Sequence, residues 1–449
     1  MLKLTSVAIF ALLVSSSPSS VHALPTPSAS SSSTIVGQVP TVTNLQGIVD
    51  PQLFQENLHQ TFAKYGFVPV VDNATSTLTM NGTGSLHARR VYQKRGEDLP
   101  SRIDLGVITT EPAIGLYTAN MGFGTPTQTR PLLLDTGSSD LFIQTSCNLP
   151  TGCGGNYLFR KSTTYRDTSR DSSLSYVSDS VTGRVVTDRV TFGGRTIENQ
   201  AFLMVSDAHT PGAAGNIGLG LNAQSNREIG TPFVENLRAT GQLGHGNGFN
   251  LRLDRNGNDA YLTLGISEKE GAPTVPYMKF NVMYPELLGR NQTQWALEMK
   301  VLSSHPDRNS WQGSIAVFID SGSSSSFVPR EAARIAHSQV EHFVETVSIP
   351  LQGQVYDVDI YFYPCDAKID YSIQFTDWRQ FRSDPRDQAL GSDGNGMCQS
   401  MLNGVDIEYN GLRAGILGAP WLKSKDVQFH VGSGPSNTGA TIGIMQLRN

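Results

Sequence analysis

The sequence predicts an all-β protein built from two similar halves, and three observations lead to that prediction. Gly is abundant at 44 copies, whereas charged residues make up only 16% of the chain, a composition typical of strands and turns. Short apolar stretches punctuated by Gly begin near residue 108, as expected for successive strands. One pattern, an apolar run that ends in Asp, occurs twice, which indicates an internal duplication.

Length and charge narrow the possible classes of protein. At 449 residues the chain is long enough for more than one hydrophobic core, because single cores stop growing at roughly 250–300 residues. The formal net charge is −5 at pH 7, which argues against a general affinity for nucleic acid.

Residues 1–23 are predicted to be a secretory signal peptide. Lys3 supplies a positive charge, residues 7–14 form an apolar core, and residues 21–23 have the small-residue cleavage pattern. The apolar core is too short to span a membrane, and no later stretch is long enough. We therefore expect a secreted, extracellular protein without a membrane anchor, with delivery to a vacuole-like compartment as the alternative.

Residues 24–95 are predicted to be a pro-segment. A stretch rich in Ser, Pro and Thr comes first, a short helical pattern follows at residues 53–65, and a basic cluster ends at Lys94 and Arg95. Residues 1–95 contain six Lys or Arg against three Asp or Glu, although the whole chain is net negative. A basic segment could mask carboxylates of the remaining chain until the pH falls. The basic cluster is predicted to be a dibasic processing site, with cleavage after Arg95, and a solvated charge patch is the alternative interpretation.

The first Asp motif lies within residues 131–142. An apolar run leads to Asp135, and the chain then turns through Thr136, Gly137 and Ser138. A carboxylate at the end of a buried strand must be paired, hydrogen-bonded or neutralised, because burial of a lone charge is costly. Taken alone, the motif could also be a surface turn, since Asp, Gly and Ser dominate turns.

The second copy lies within residues 316–324, where Asp320 is followed by Ser321, Gly322 and Ser323. The two Asp residues are 185 positions apart. Two such motifs favour a paired function over an isolated surface turn. With them the chain resembles the pepsin-like aspartic proteases, in which each of two lobes carries an Asp-Thr/Ser-Gly motif.

The resemblance implies a bilobal pepsin-like fold with an active-site cleft between an N-terminal lobe, residues 96–272, and a C-terminal lobe, residues 273–449. It assigns Asp135 and Asp320 as the catalytic pair that activates a water. Two carboxylates in contact can share one proton, because like charges cannot both ionise easily, so the pair can act as base and acid. No metal and no organic cofactor is implied.

The resemblance also gives roles to the residues around the pair. The hydroxyls of Thr136 and Ser321 would tie each loop to the backbone of the other. Those of Ser138 and Ser323 would hydrogen-bond the catalytic carboxylates. Gly137 and Gly322 would complete the two turns.

Residues 174–183 resemble the flap hairpin that covers the cleft in this family. Tyr176 and Ser178 are therefore candidate flap and substrate-binding residues. Val177 and Asp179 stand where the family usually has glycines, and the loss of Gly restricts the backbone.

Two further residues depart from the family pattern. Phe142 occupies the position of a tryptophan that commonly hydrogen-bonds the flap tyrosine, and Phe has no donor. Asn216, within residues 215–221, stands where the pattern is normally apolar.

Four cysteines are present, and their even number and grouping predict two disulfides, Cys147–Cys153 and Cys365–Cys398. A zinc site is the alternative, although no Cys-x-x-Cys pair or His-x-x-x-His cluster accompanies them. Glycan-acceptor sequences are predicted at Asn73, Asn81 and Asn291.

Two other elements are predicted in the second half. Residues 295–301 alternate like a strand. Residues 331–345 have a helix-compatible composition and lie where the family places a helix.

The sequence therefore predicts a secreted aspartic endopeptidase that is made as a zymogen, inhibited by its own pro-segment and monomeric, with polypeptides as substrates. The alternative is a catalytically silent pepsin-like binding or inhibitor protein. A serine hydrolase is disfavoured, since neither Ser-rich turn forms Gly-x-Ser-x-Gly.

Overall fold

The structure is a computed structural model, and it describes part of the chain. The described residues are 49, ten positions between 54 and 70, 101–107, 116–146, 154–176, 179–206, 212–221, 226–255, 257–266, 277–283, 294–351, 353–376, 378–409, 411–433 and 437–447. The predicted signal peptide, Ser178, the predicted disulfide Cys147–Cys153 and the three glycan-acceptor asparagines lie outside the described residues.

Strands dominate the described residues. The first strands are β1 (Val68–Pro69), β2 (Ser101–Asp104), β3 (Gly106–Val107), β4 (Tyr117–Phe123), β5 (Gln128–Asp135), β6 (Leu141–Gln144), β7 (Arg166–Tyr176), β8 (Asp179–Phe192), β9 (Arg195–Val205), β10 (Gly215–Gly218), β11 (Gly248–Arg252) and β12 (Tyr261–Leu264). The later strands are β13 (Met278–Asn281), β14 (Ala296–Ser304), β15 (Ser310–Ile319), β16 (Ser326–Val328), β17 (Phe343–Leu351), β18 (Gln354–Pro364), β19 (Tyr371–Gln374), β20 (Gln380–Arg382), β21 (Ala389–Ser392), β22 (Met397–Ser400), β23 (Leu402–Val405), β24 (Ile407–Tyr409), β25 (Leu412–Leu417), β26 (Lys425–His430) and β27 (Thr441–Gln446).

The helices are short. They are α1 (Phe233–Ala239), α2 (Arg330–His337) and α3 (Ala419–Leu422), with 3₁₀ turns at Phe159–Lys161, His245–Asn247 and Pro385–Asp387. Helical conformation is also found at the described positions 54, 55, 58, 62, 64 and 65, within the predicted helical pattern of the pro-segment. No helix formed by the described residues is long and apolar enough to cross a membrane.

The first Asp motif belongs to an eight-stranded sheet in the order β3-β4-β5-β10-β6-β9-β8-β7. Within it, β10 lies between β5 and β6, parallel to β5 and antiparallel to β6. Leu132 and Leu134 of β5 are fully buried, so the apolar run anchors the strand that ends at Asp135.

The second Asp motif belongs to a 13-stranded sheet with the main path β20-β19-β14-β15-β25-β16-β23-β18-β22-β21, joined at its side by β1, β17 and β24. Here β25 lies between β15 and β16, parallel to β15 and antiparallel to β16. This arrangement repeats that of β10 between β5 and β6, and it is the structural form of the duplication predicted from the two motifs.

A third, six-stranded sheet contains strands from both halves of the chain, in the order β13-β27-β26-β11-β12-β2. The prediction of an all-β, bilobal pepsin-like fold is confirmed by these three sheets. The strand predicted at residues 295–301 is β14, while the limits chosen for the two lobes stay a prediction.

The helix expected over residues 331–345 is only half correct. The observed helix α2 ends at His337. Beyond it, the backbone N–H of Val340 bonds to the carbonyl of His337 in a turn. From Phe343 the chain forms β17, which pairs with β18 along its whole length. The β-branched residues of β17, such as Val344 and Thr346, favour a strand, and pairing with β18 outweighs the helix-compatible composition.

Candidate active site

Asp135 lies at the end of β5, where the sheet holds its backbone. The N–H of Leu219 bonds to the carbonyl of Asp135 at 2.7 Å. The Asp135 side chain is buried. Its Oδ1 accepts the N–H of Gly137 at 2.9 Å, and its Oδ2 accepts the hydroxyl of Ser138. The predicted contact of Ser138 with the carboxylate is therefore present.

Asp320 follows β15 in a matching arrangement. Its N–H bonds to the carbonyl of Leu417 at 3.0 Å, and its Oδ1 accepts the N–H of Gly322 at 2.8 Å. The side chain is fully buried. Two loops from two different sheets thus deliver one carboxylate each to the same place.

The two loops are tied together by the hydroxyls of Thr136 and Ser321. Thr136 Oγ1 donates to the carbonyl of Ile319 at 2.8 Å and accepts the N–H of Ser321 at 2.9 Å. Ser321 Oγ donates to the carbonyl of Leu134 at 2.9 Å and accepts the N–H of Thr136 at 3.1 Å. All four bonds are buried, and they hold the carboxylates at a set separation.

Gly137 and Gly322 are required by the close approach of the loops. A Cβ on Gly137 would lie 2.6 Å from Cγ of Asp320, and a Cβ on Gly322 would lie 2.5 Å from Oδ1 of Asp135. Real Cβ atoms are not found so close to another heavy atom. Each motif glycine therefore makes room for the carboxylate of the other motif.

Two residues of the predicted pro-segment contact the dyad. Lys64 Nζ binds Oδ1 of Asp135 and lies 2.9 Å from both carboxylate oxygens of Asp320. The hydroxyl of Tyr65 donates to Oδ2 of Asp320 at 2.7 Å. Neither contact was predicted, because one Lys and one Tyr in the helical pattern at residues 53–65 carry no specific signal for binding to the carboxylates.

The predicted pro-segment is anchored by apolar side chains. Phe54, Leu58 and Phe62 are buried against residues of the 13-stranded sheet. The Phe62 ring meets that of Phe327 edge-on at 5.0 Å. Burial of this apolar face supplies the driving force that brings Lys64 to the carboxylates.

Charge and burial set the protonation preferences of the three groups. Burial acts to lower the pKa of Lys64, but both carboxylates outweigh it and the pKa is raised. Burial acts to raise the pKa of Asp135, but the charge of Lys64 and hydrogen bonds from Lys64 and Ser138 outweigh it and the pKa is lowered. For Asp320, burial and the negative charge of Asp135 prevail over Lys64, and the pKa is raised.

Ser323 differs from the expectation. Its hydroxyl donates to the carbonyl of Ser325 at 2.8 Å rather than to the carboxylate of Asp320. The Oδ2 atom of Asp320 accepts the hydroxyl of Tyr65 instead. A backbone acceptor two residues away thus takes the hydrogen that Ser323 was expected to give the carboxylate.

The predicted flap is the hairpin of β7 and β8, in which the backbone of Tyr176 pairs with that of Asp179. Below it, Phe142 packs in a small apolar cluster with Leu174, Val181 and neighbouring residues. Hydrophobic contact therefore replaces the hydrogen bond that a tryptophan at position 142 would offer.

Asn216 has a role that the sequence did not reveal. Its Nδ2 atom donates to Oγ of Ser138 at 3.0 Å. The amide thereby reaches the hydroxyl that donates to Asp135.

The disulfide Cys365–Cys398 is present, joining positions 33 residues apart. It lies between β18 and β22, with Cys398 opposite Tyr363 in the strand register. Within the described part of the chain, no group of three or more His, Cys, Asp or Glu side chains is arranged to hold a metal ion.

Comparison with known proteins gives consistent matches. The sequence model of the family described as "Eukaryotic aspartyl protease" matches residues 116–436. The "Major aspartyl peptidase 1" of Cryptococcus neoformans var. grubii is 26% identical over 76% of this chain and 70% of its own. The "Probable aspartic-type endopeptidase opsB" of Aspergillus oryzae is 30% identical over 48% of this chain and 47% of its own. The "Vacuolar protease A" of Neurospora crassa is 25% identical over 50% of this chain and 56% of its own.

Proposed function

The chain belongs to the eukaryotic aspartyl protease family and is a pepsin-like aspartic endopeptidase; we propose that Asp135 and Asp320 activate the water with which it hydrolyses peptide bonds at acidic pH. One observation carries this proposal. The two carboxylates lie at the ends of matching loops, so close together that a single ammonium group, Nζ of Lys64, contacts both.

In the proposed reaction the two carboxylates share one proton. The ionised carboxylate takes a proton from the water as the water oxygen attacks the peptide carbonyl, and the protonated one supplies a proton that ends on the departing amine. Mutual repulsion of two buried negative charges favours this singly protonated state. The proton belongs to the coupled pair rather than to one residue.

We further propose that residues 24–95 act as an intramolecular inhibitor. In support, Lys64 and Tyr65 bind oxygens of the two carboxylates. Water and substrate would have to bind at the same oxygens. Protonation of the carboxylates at low pH would weaken the contacts of Lys64 and favour release of the segment. Cleavage after Arg95 would leave a mature enzyme with lobes 96–272 and 273–449.

Secretion, or delivery to a vacuole, is proposed as the destination. The signal-peptide pattern at residues 1–23 and the disulfide Cys365–Cys398 support an oxidising compartment. Relatives include one named as a vacuolar protease. Denatured or folded polypeptides would be the substrates, and the mature enzyme would act as a monomer.

The test uses the full chain after processing, with its new amino terminus determined by sequencing. A reduced, denatured protein is incubated with it at acidic and neutral pH, with and without pepstatin. We expect pepstatin-sensitive cleavage at acidic pH and a loss of at least a thousandfold in Asp135→Asn and Asp320→Asn, on the order of the effect of losing a catalytic group. Asp171→Asn, at a carboxylate that is 70% exposed on β7, is the matched control.

Two outcomes would contradict the proposal. Undiminished cleavage by Asp135→Asn would exclude the dyad. Failure of correctly processed wild-type protein to cleave any peptide bond would favour the alternative of a silent binding protein.

A further inference from the structure

A chain of two hydrogen bonds leads from β10 to one catalytic carboxylate. Nδ2 of Asn216 donates to Oγ of Ser138 at 3.0 Å, and the Ser138 hydroxyl donates to Oδ2 of Asp135. All three side chains are buried. Water therefore competes little for these bonds.

The single hydrogen of the Ser138 hydroxyl determines the direction in which these two hydrogen bonds run. A serine hydroxyl has one hydrogen to donate. When the Asn216 amide donates to Oγ of Ser138, that hydrogen remains for Asp135. If the amide turned its oxygen to Ser138, the hydroxyl would donate to Asn216 and the bond to Asp135 would be lost.

The sheet register holds Asn216 in place. It lies opposite Leu133 on β5 and opposite Phe142 on β6. Leu133 and Phe142 have no side-chain donor. Among the described residues, Asn216 is the one whose side chain donates to Ser138.

An amide at this position costs the fold free energy. The Oδ1 atom of Asn216 is buried without a hydrogen-bond partner among the described residues, and an unsatisfied buried polar atom is unfavourable. A leucine of similar size would avoid that cost. The stabilising contribution of the amide lies in its bond to Ser138.

The two hydrogen bonds from Asn216 to Ser138 and from Ser138 to Asp135 do not depend on the pro-segment. Lys64 contacts Oδ1 of Asp135, whereas Ser138 donates to Oδ2. Removal of Lys64 therefore leaves both bonds intact. At Asp320 the corresponding hydroxyl, that of Ser323, donates to the Ser325 carbonyl instead.

We propose that Asn216 is a positioning residue of the hydrolytic site, whose amide holds the Ser138 hydroxyl in the orientation that donates to Asp135. This inference rests on the proposed function of the dyad. It predicts that Asn216 favours the ionised form of Asp135, since a hydrogen bond to a carboxylate stabilises its charge. The titratable groups that face Asp135 are Asp320 and, before processing, Lys64 and Tyr65.

The first test measures kcat and KM of processed Asn216→Leu across the acid range. We expect kcat to fall about three- to tenfold, as for the loss of one hydrogen bond, with an unchanged KM. The acid limb of kcat/KM should move to higher pH, because Asp135 would protonate more easily. Asn216→Gln, which retains an amide, should recover part of kcat, and urea unfolding should show that Asn216→Leu is at least as stable as wild type.

The second test is a double-mutant cycle with Ser138→Ala. If Asn216 acts through Ser138, then Asn216→Leu should have no further effect on kcat or on the acid limb in the Ser138→Ala background. Additive losses would overturn the proposal. So would an unchanged acid limb, or a change in KM that depends on the peptide, which would assign Asn216 to substrate contact.

The failures of the two proposals are distinguishable. If wild-type enzyme is active and Asp135→Asn is not, the proposed catalytic role of Asp135 is supported, whatever the effect of Asn216→Leu on kcat. If Asp135→Asn retains activity, the proposal that Asp135 and Asp320 form the catalytic pair is wrong.

Discussion

Two hydroxyls connect the loops that carry Asp135 and Asp320, and each acts as both donor and acceptor. Thr136 bonds to the carbonyl of Ile319 and the N–H of Ser321, and Ser321 bonds in the same way to Leu134 and Thr136. Because these groups are buried, loss of one side chain leaves polar backbone atoms unsatisfied. The separation of the two carboxylates therefore depends on side chains that need not touch the substrate.

We predict that Thr136→Val, which preserves shape but removes the hydroxyl, destabilises the fold and slows catalysis. Two buried bonds are lost, so the free energy of unfolding should fall by roughly 2–4 kcal/mol. Urea unfolding and kcat measure the two effects. Thr263→Val, which removes one long 3.4 Å bond to Gly265, is the control, and equal losses in both variants would contradict the assignment.

Lys64 is predicted to set the pH at which the full chain becomes active. Its ammonium lowers the pKa of Asp135, so the carboxylate protonates only at a pH below the ordinary range. In Lys64→Met that effect is absent, and the proposed pro-segment should be released at higher pH. The midpoint pH of conversion of the full chain to mature enzyme measures the shift.

Lys161→Met, at an exposed lysine in a 3₁₀ turn, is the matched control for Lys64. Its midpoint should equal that of wild type. An unchanged midpoint in Lys64→Met would refute the role of the ammonium.

At the scale of elements, α2 carries a buried histidine that bears on acid stability. His337 Nδ1 contacts the carbonyl of Ala333 at 2.7 Å, Nε2 contacts the hydroxyl of Ser400 at 2.9 Å, and the ring stacks on Tyr361. A neutral ring that donates from Nδ1 and accepts at Nε2 satisfies both bonds. Burial lowers the pKa of His337 to about 3 from the ordinary 6.5.

We predict that His337 makes the fold less stable in acid. Well above pH 6.5 the ring is neutral in both the folded and the unfolded chain. Below it only the unfolded chain takes the proton, so the free energy of unfolding should fall by up to about 4 kcal/mol between pH 6.5 and 3. In His337→Gln this dependence of the free energy of unfolding on pH should flatten, as measured by urea unfolding across that range. His342→Gln should retain most of it, because burial is the larger cause of the lowered pKa of His337 and the charge of His342 the smaller.

At the scale of the whole molecule, an ion cluster joins the two halves of the chain. Arg255 lies between β11 and β12, and its guanidinium binds Asp387 through two bonds, 2.7 and 2.6 Å, and Asp384 at 2.9 Å. Asp387 is fully buried. Arg386 binds Asp384 as well, but its side chain is 58% exposed.

These two arginines offer a matched comparison. Arg255→Gln should lower the free energy of unfolding by about 3–5 kcal/mol, because it leaves a buried carboxylate without its partner. Arg386→Gln should cost less than about 1 kcal/mol, as for an exposed ion pair. Urea unfolding measures the free energy of unfolding of both variants. Similar decreases in the two would show that burial does not determine how much each ion pair contributes to stability.

Local sequence was sufficient for some features and not for others. The apolar runs before Asp135 and Asp320 and the Gly positions after them predict strands and tight turns, because these depend on neighbouring residues. The helix predicted over residues 331–345 is too long, because the chain from Phe343 forms β17, which is stabilised by its pairing with β18. Cys365–Cys398 followed from grouping along the chain and is confirmed.

The sequence by itself determined the class of the fold, the family resemblance and the identity of the two candidate catalytic carboxylates, since these are written in short contiguous motifs. Only the tertiary structure decided which groups meet those carboxylates. Lys64 is 71 residues from Asp135 and 256 from Asp320, and Asn216 is 78 residues from Ser138. Contacts across such separations depend on how sheets pack and pair, which no local pattern specifies.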